Sequence, residues 1–239
     1  MIDQGTVAFV TGANRGIGRA LVQALSATHV AKIYAGVRSL AALEPIVLAT
    51  NVVPIEIDVT RPEQIERLAV TASDVTLLFN NAGVLSFGDI ISASWDDIEH
   101  NLAVNYLGKL RLARAFAPVI ERNGGGAIVN TLTLVALASM PEFSIYNASK
   151  AAAWSMTQSL RASLLNRNVR VHGVFPGAVD TDMLKDVDIE KASPSDVALA
   201  ILKGVTDDEE DIFPDAMSRS LYAAWKEDHK AVEKQFANM

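Results

Sequence analysis

The chain has 239 residues, 50% of them hydrophobic and 21% charged, the profile of a folded globular protein with ample length to bury a core. Its formal net charge of −7 argues against a nucleic-acid partner, because a field of that sign repels phosphate backbones. Cysteine is absent, which excludes disulfides, thiolate chemistry and sulfur-ligated zinc, and His29, His100, His172 and His229 are scattered without ligand spacing.

The chain opens Met-Ile-Asp-Gln-Gly-Thr, with an acid where a secretory leader carries base, and no apolar run approaches the ~18 residues of a membrane span. A cytoplasmic location with no membrane partner is the expectation.

Thr6 to Thr11 (T-V-A-F-V-T) is a short apolar run ending at Gly12, the pattern of a fully buried strand. From Gly16 the period changes: Ile17, Ala20, Leu21, Ala24, Leu25 and Thr28 recur at threes and fours, which predicts a helix with one buried face. Further strands are expected at Lys32 to Gly36, Val52 to Ile57 and Val75 to Phe79, separated by helical patterns, with Pro62 just inside a helix start. A long helix follows from about Ser94 to Glu121, with Ser94 and Asp97 at capping-box spacing. Ala127 to Asn130 begins a fifth strand after the glycine run Gly124 to Gly126. An alanine-rich helix then carries Tyr146 and runs to about Asn166. Val169 to Phe175 makes a sixth strand ending at Pro176-Gly177. A helix from Pro194 to Gly204, a short strand near Ile212-Phe213 and a charged amphipathic tail complete the chain. Strands alternating with helices imply βαβ units and a parallel sheet covered on both faces, in one domain spanning 1–239.

Two stretches carry chemistry. In T-G-A-N-R-G-I-G, Gly12, Gly16 and Gly18 lie between the first strand and first helix, where glycines admit a close backbone approach to phosphate and the helix start supplies unpaired N–H groups. The spacing fits neither G-x-G-x-x-G nor an ATP-type loop, which needs a following Lys-Ser/Thr. In S-I-Y-N-A-S-K, Tyr146 and Lys150 stand four apart, on one face of a helix. An ammonium beside a phenol favours the phenolate and is expected to lower its pKa towards the range of general acid–base catalysis.

Thr11 to Gly18, Asn80-Asn81-Ala82-Gly83 after the fourth strand, Tyr146 with Lys150, and Pro176-Gly177 followed by Thr181 occur in the order found in the short-chain dehydrogenase/reductase family, which this chain resembles over nearly its whole length. The resemblance implies a single-domain α/β fold of Rossmann type, a doubly wound parallel sheet of about seven strands. It also implies a nicotinamide cofactor at the carboxyl ends of the strands. By that resemblance the glycine loop (Gly12, Arg15, Gly16, Ile17, Gly18) meets the cofactor phosphates and ribose, and Asp58-Val59 meets the adenine edge. Asn81, Ala82 and Gly83 meet the adjacent ribose region, and Pro176, Gly177, Val179 and Thr181 the nicotinamide side. Asp58 has a plainer alternative as the cap of its own turn. For cofactor choice, an NAD enzyme needs an acid at the end of the second strand; Val37 stands there, followed by Arg38 and Ser39. Arg15 and Arg38, with no carboxylate, favour NADP(H) over NAD(H).

The family's chemistry would make Tyr146 the proton donor to a substrate carbonyl, Lys150 the group that tunes it and hydrogen-bonds the cofactor ribose, and Asn105 a member of the same set. Ile98, Leu102 and Asn105 follow helical spacing, which puts an amide on an apolar stripe, and a water-linked chain to Lys150 would satisfy it. The family's usual serine thirteen residues before the tyrosine is Thr133 here, which keeps the hydroxyl and adds a methyl. Leu85, Leu134, Val135, Met140, Phe143, Ala178, Met183 and Leu184 form the expected substrate lining, suited to an apolar ketone, aldehyde or alcohol. By the same resemblance Asp182 to Ala192, short and rich in charge, stands where the family carries a substrate lid. The apolar surface of Ala151, Ala152, Ala153, Trp154 and Met156 suggests a homodimer or homotetramer. Two other functions remain open at this point: a non-catalytic NADP-binding regulator, and an epimerase or lyase that recycles its cofactor.

Overall fold

The computed structural model describes residues 2–43 and 49–238. Seven strands, β1 (Val7–Thr11), β2 (Lys32–Val37), β3 (Val52–Glu56), β4 (Leu77–Asn80), β5 (Gly126–Thr131), β6 (Val169–Val174) and β7 (Asp211–Ile212), form one parallel sheet in the order 3-2-1-4-5-6-7. Along β1, Ala8 and Val10 enter one core layer while Val7 and Phe9 enter the other. A strand buried on both faces needs an unbroken apolar run, which is why T-V-A-F-V-T shows no alternation.

Helices α1 (Gly16–Ser26) and α6 (Pro194–Thr206) cover the first face through Leu21, Leu25, Val197 and Ile201. The second face takes α2 (Pro62–Thr71), α4 (Lys109–Arg122) and α5 (Ser144–Leu164), with Ile65, Leu112, Phe116 and Leu164 in its core. Because β1 lies beside β4, the chain winds outward from that pair in both directions. The loops leaving their carboxyl ends diverge into a crevice, the place where open parallel sheets hold ligands.

Three regions depart from the expected pattern. Between β2 and β3 the described residues form only a short 3-10 turn, Leu40–Leu43; the rest of the helical pattern expected there falls on 44–48, outside the described residues. The long helix from Ser94 is divided into α3 (Trp95–Leu102), a π-helical turn (Ala103–Gly108) and α4. Ser94 caps it by accepting the Asp97 amide at 3.1 Å, but the Asp97 carboxylate accepts the Ser94 hydroxyl at 2.7 Å, so the reciprocal half of a capping box is missing.

The tail is not a loose amphipathic segment. It forms α7 (Ala216–Glu227) and α8 (His229–Phe236), which fold back on the loop after β5, where Val232 and Phe236 pack with Leu134 and Ala138. Trp154 of α5 joins this side, its ring 5.8 Å from Phe175 and 6.0 Å from Trp225. Ala153, Met156 and Trp154 thus spend much of the surplus apolar surface of α5 inside the chain.

Candidate active site

The glycine loop is shaped by contacts that leave no room for side chains. Gly12 and Gly16 have φ of +68° and +53°, a left-handed region that disfavours residues with a Cβ. Gly18 is forced by proximity instead: a Cβ there would lie 2.1 Å from the Gly12 carbonyl oxygen and 2.6 Å from Asn81 Nδ2. Opposite the loop, Thr11 organises the N-N-A-G turn. Its hydroxyl accepts the amides of Asn81 and Ala82, each at 3.0 Å, and donates to the Phe79 carbonyl at 3.2 Å. Asn81 Nδ2 returns a bond to the Thr11 carbonyl at 3.0 Å. The result is a closely braced glycine cradle at the switch point, beside the start of α1 and with no side chain at Gly12, Gly16 or Gly18, so the residues present fit the nicotinamide cofactor that the family implies.

Around the cradle, Arg38 and Ser39 are exposed just beyond β2, and Arg15 is exposed at the start of α1, where it pairs with Asp182 at 3.4 Å. Asp58 serves its own turn, since one of its oxygens accepts the Thr60 amide at 2.8 Å and the Thr60 hydroxyl at 2.7 Å. Burial pushes this carboxyl up, but the Thr60 bonds, with Arg61 and Arg38 nearby, more than offset it and leave it below the usual range. Val59 is buried behind the crevice. Pro176 accepts the Leu134 amide at 3.0 Å, and Gly177 donates to the buried carboxylate of Asp215 at 2.8 Å. Val179 bridges to Ala192 at the base of the 180–192 segment, while Thr181 packs so closely on the loop that a Cβ at Gly16 would touch its methyl at 2.9 Å.

Beside this crevice α5 brings Tyr146 and Lys150 towards the end of β5. Tyr146 is partly exposed, and its phenol lies near the hydroxyl of Thr133, which is buried at the head of a 3-10 turn (Leu134–Ala136). Lys150 is buried and donates to the Thr131 carbonyl at 2.9 Å, with its Nζ 5.5 Å from the centroid of the Tyr146 ring. The lowering of the phenol pKa expected from Lys150 is not the balance found. Burial pushes Tyr146 up to about 12, opposed only by the Thr133 hydroxyl, while burial also lowers Lys150 to about 7. An amine that is itself desolvated and turned to a carbonyl carries only part of a positive charge at neutral pH, so it exerts little pull on its neighbour.

Asn105 sits in the π-helical turn, fully buried, and needs no water to satisfy it. Its Oδ1 accepts the Val84 amide at 3.0 Å, and its Nδ2 donates to the Val84 carbonyl at 2.9 Å and to Ser149 Oγ at 3.0 Å. Ser149 Oγ passes the connection on to the Tyr146 carbonyl at 2.7 Å. Asn105 therefore braces the stretch after N-N-A-G against the helix that carries the tyrosine. A Cβ at Gly83 would meet Asn105 Oδ1 at 3.1 Å and Lys150 Nζ at 3.6 Å, which places that glycine at their junction.

Sequence reasoning missed Ser149, Asp215 and the bracing role of Thr11. It also missed the π-helical turn, a feature that recurs at functional sites. Of the expected substrate lining, Leu134 and Ala178 are buried, Leu134 against α8, Phe143 packs at a tilt on Phe87 with ring centroids 5.1 Å apart, and Met183 is exposed on the 180–192 segment. Val135, another of the expected lining residues, borders a groove of about 350 Å³ along α5 that Ile90, Ser139, Ser144 and Asn147 also bound and that does not include Tyr146.

A parallel sheet with a glycine cradle at its switch point and a tyrosine–lysine pair at the same edge defines an α/β protein of the dinucleotide-binding class. Comparison with known proteins narrows this. The short chain dehydrogenase profile matches residues 6–192. A short-chain dehydrogenase from Burkholderia cenocepacia, solved in complex with NADP, superimposes with a TM-score of 0.93 at 37% identity over 99% of this chain and 98% of that one. A short-chain dehydrogenase/reductase from Burkholderia phymatum, solved with NAD, gives a TM-score of 0.86 at 27% identity over 98% and 96%. A short-chain type dehydrogenase/reductase of Sinorhizobium fredii is 30% identical over 220 residues, covering 91% of this chain and 84% of that protein. The chain belongs to the short-chain dehydrogenase/reductase family, a family of oxidoreductases.

Proposed function

We propose that the protein is an NADP-dependent oxidoreductase that interconverts a ketone or aldehyde and an alcohol on an apolar substrate. The single observation that carries this reading is Tyr146 set beside buried Lys150, whose Nζ lies 5.5 Å from the centroid of its ring, on the helix that starts next to Thr133 and the glycine cradle. The nicotinamide cofactor, when bound, supplies or accepts the hydride. Thr133 keeps a hydroxyl that orients the substrate oxygen, and Tyr146 donates its proton there, or takes one back in the reverse direction. A phenol held at about 12 stays protonated, ready to give its proton to an oxygen that develops negative charge. Lys150 is the cation closest to the phenolate that remains, and it stabilises that charge in its protonated form. Asn105 and Ser149 hold the helix in register through the Tyr146 carbonyl.

Preference for NADP over NAD is supported by Arg15 and Arg38 at the mouth of the cradle, by the absence of an acid at Val37, and by the NADP complex of the Burkholderia cenocepacia relative. The apolar character of Leu134, Val135, Met140, Phe143 and Met183 supports a neutral substrate. A homodimer or homotetramer in the cytoplasm belongs to the same reading, supported by the exposed Ile91, Trp95 and Leu107 near α3; light scattering checks it.

The test follows NADPH and NADH absorbance with a panel of neutral and charged ketones, comparing wild type with Tyr146→Phe. The variant is expected to lose about 10³-fold in kcat while binding NADPH as before. Unimpaired turnover in that variant would remove Tyr146 from the mechanism, and a strong preference for charged ketones would refute the apolar site.

A further inference from the structure

Lys109, the first residue of α4, is 2% exposed, and no step of the proposed reaction uses it. Lysine is almost never fully buried unless something in the interior takes its hydrogen bonds. Among the described residues no carboxylate pairs with Lys109. Its Nζ donates instead to two backbone carbonyls, those of Asn80 and of Ala82, the second at 3.0 Å. Both belong to the N-N-A-G turn. The contact is returned, because Asn80 Nδ2 donates to the Lys109 carbonyl at 3.2 Å and to Asn130 Oδ1 at 2.9 Å, and Asn130 Nδ2 donates to Thr157 Oγ1 on α5 at 3.0 Å. The turn is therefore gripped from two sides: Thr11 takes the amides of Asn81 and Ala82, and Lys109 takes the carbonyls of Asn80 and Ala82.

We propose that Lys109 is a positioning residue for the cofactor, whose amine holds the N-N-A-G turn by its carbonyls in the shape a bound nicotinamide nucleotide meets. The proposal rests on the reading of that turn as part of the cofactor site. Two donated bonds are the full complement of a neutral amine, whereas an ammonium has three N–H groups and would leave one unpaired in a closed interior. Burial, and then the neighbouring Lys150, both push the Lys109 pKa well down, in the same direction as the hydrogen-bond count. Lys109 thus works as a neutral donor. A methionine has nearly its length and apolar bulk but donates nothing.

The experiment compares wild type with Lys109→Met by NADPH and NADH fluorescence titration, with thermal unfolding of the cofactor-free proteins in parallel. Wild-type binding is read first; a wild type that binds neither nucleotide overturns the cofactor reading and this proposal with it. Given wild-type binding, the expected result is a Kd about tenfold higher for both nucleotides in the variant, with little change in Tm, since relief of the buried amine and the two carbonyls left without its donor oppose each other. A purely structural lysine would lower Tm and leave Kd alone, and a folded variant with Kd within about twofold of wild type overturns the proposal. If Lys109→Met does not fold, ¹⁵N spectra of the lysine side chains in the wild type decide, with Lys150→Met assigning the other shifted amine. One amine besides Lys150 that is still neutral at pH 7 supports the assignment, and a spectrum in which all the others are protonated there overturns it.

Discussion

The two walls of the crevice are built by different means. The nucleotide wall, from β1, β4 and the start of α1, is held by backbone: glycines with no room for a Cβ, and amides and carbonyls taken up by Thr11, Asn81 and Lys109. The wall proposed for the substrate is held by side-chain packing between distant segments, where Leu134 and Ala138 after β5 meet Val232 and Phe236 of α8, and Phe213 stacks on Tyr222 at 4.0 Å. Backbone fixation tolerates little change and suits a ligand of constant shape. A wall of apolar side chains can be reshaped one residue at a time and suits a site where the substrate varies. The buried carboxylate of Asp215 joins the two, accepting the Gly177 amide on one side and capping α7 on the other.

The sharpest way to break this contrast is to damage one wall and measure both. Phe236→Ala removes a buried ring from the substrate wall and is expected to destabilise the protein by about 3 kcal/mol, read by urea unfolding. At temperatures where the variant stays folded, KM for the ketone rises while the NADPH Kd holds; a matching loss of NADPH affinity would show that the walls are one unit. Gly18→Ala does the reverse. Its methyl would stand 2.1 Å from the Gly12 carbonyl oxygen, so the loop must move, and the NADPH Kd is expected to rise about 100-fold, or about 3 kcal/mol. Titration of the variant with NADPH checks this, and wild-type affinity would mean that the close packing there serves no ligand.

The same contrast explains what the sequence displayed. Glycine loops and turns imposed by backbone geometry leave fixed residues at fixed spacing, so T-G-A-N-R-G-I-G, N-N-A-G and P-G could be read directly. The central strands, buried on both faces, left unbroken apolar runs such as V-A-F-V in β1, whereas β3 at the edge is largely exposed. The fold-back of α7 and α8 left no such mark: their charged, amphipathic pattern says that one face is covered, not by what. Asn105 was singled out by the family resemblance, with its place on an apolar stripe as support, but its partners, Val84 and Ser149, lie 21 and 44 residues away, and no local pattern predicts them. Lys109 was invisible for a related reason. A lysine in K-L-R-L-A-R reads as one more solvated charge until the fold turns it inward. The balance between Tyr146 and Lys150 was misjudged because desolvation depends on everything packed around the pair, whereas spacing reports only the pair.

Smaller effects sharpen the picture of the catalytic edge. Lys150 has a native pKa of about 7, below its unfolded value, so between pH 7 and about 10 the unfolded chain binds the extra proton. Stability of the cofactor-free protein therefore rises with pH across that window, and the penalty is fully present below pH 7. The contribution is up to about 1 kcal/mol per pH unit, compared as wild type minus Lys150→Met in urea titrations at successive pH values. A difference that falls with rising pH would mean that the native lysine is stabilised as a cation by a partner.

The smallest expected effect tests what separates the nucleotide wall from the lid. Arg15 on the loop and Asp182 at the start of the 180–192 segment pair at 3.4 Å with both side chains more than half exposed, so the pair adds little to stability on its own. Its value as a probe lies in the direction of change. If Arg15 serves the extra phosphate that distinguishes NADP from NAD, Arg15→Ala raises the NADPH Kd by about fivefold at low salt, leaves NADH within error, and moves Tm hardly at all. Asp182→Asn, which frees the guanidinium without removing it, then shifts the NADPH Kd the other way. Equal losses for both nucleotides in Arg15→Ala would assign the arginine to the shared diphosphate, and no loss for either would return it to the lid, as a contact between the two walls rather than a part of one.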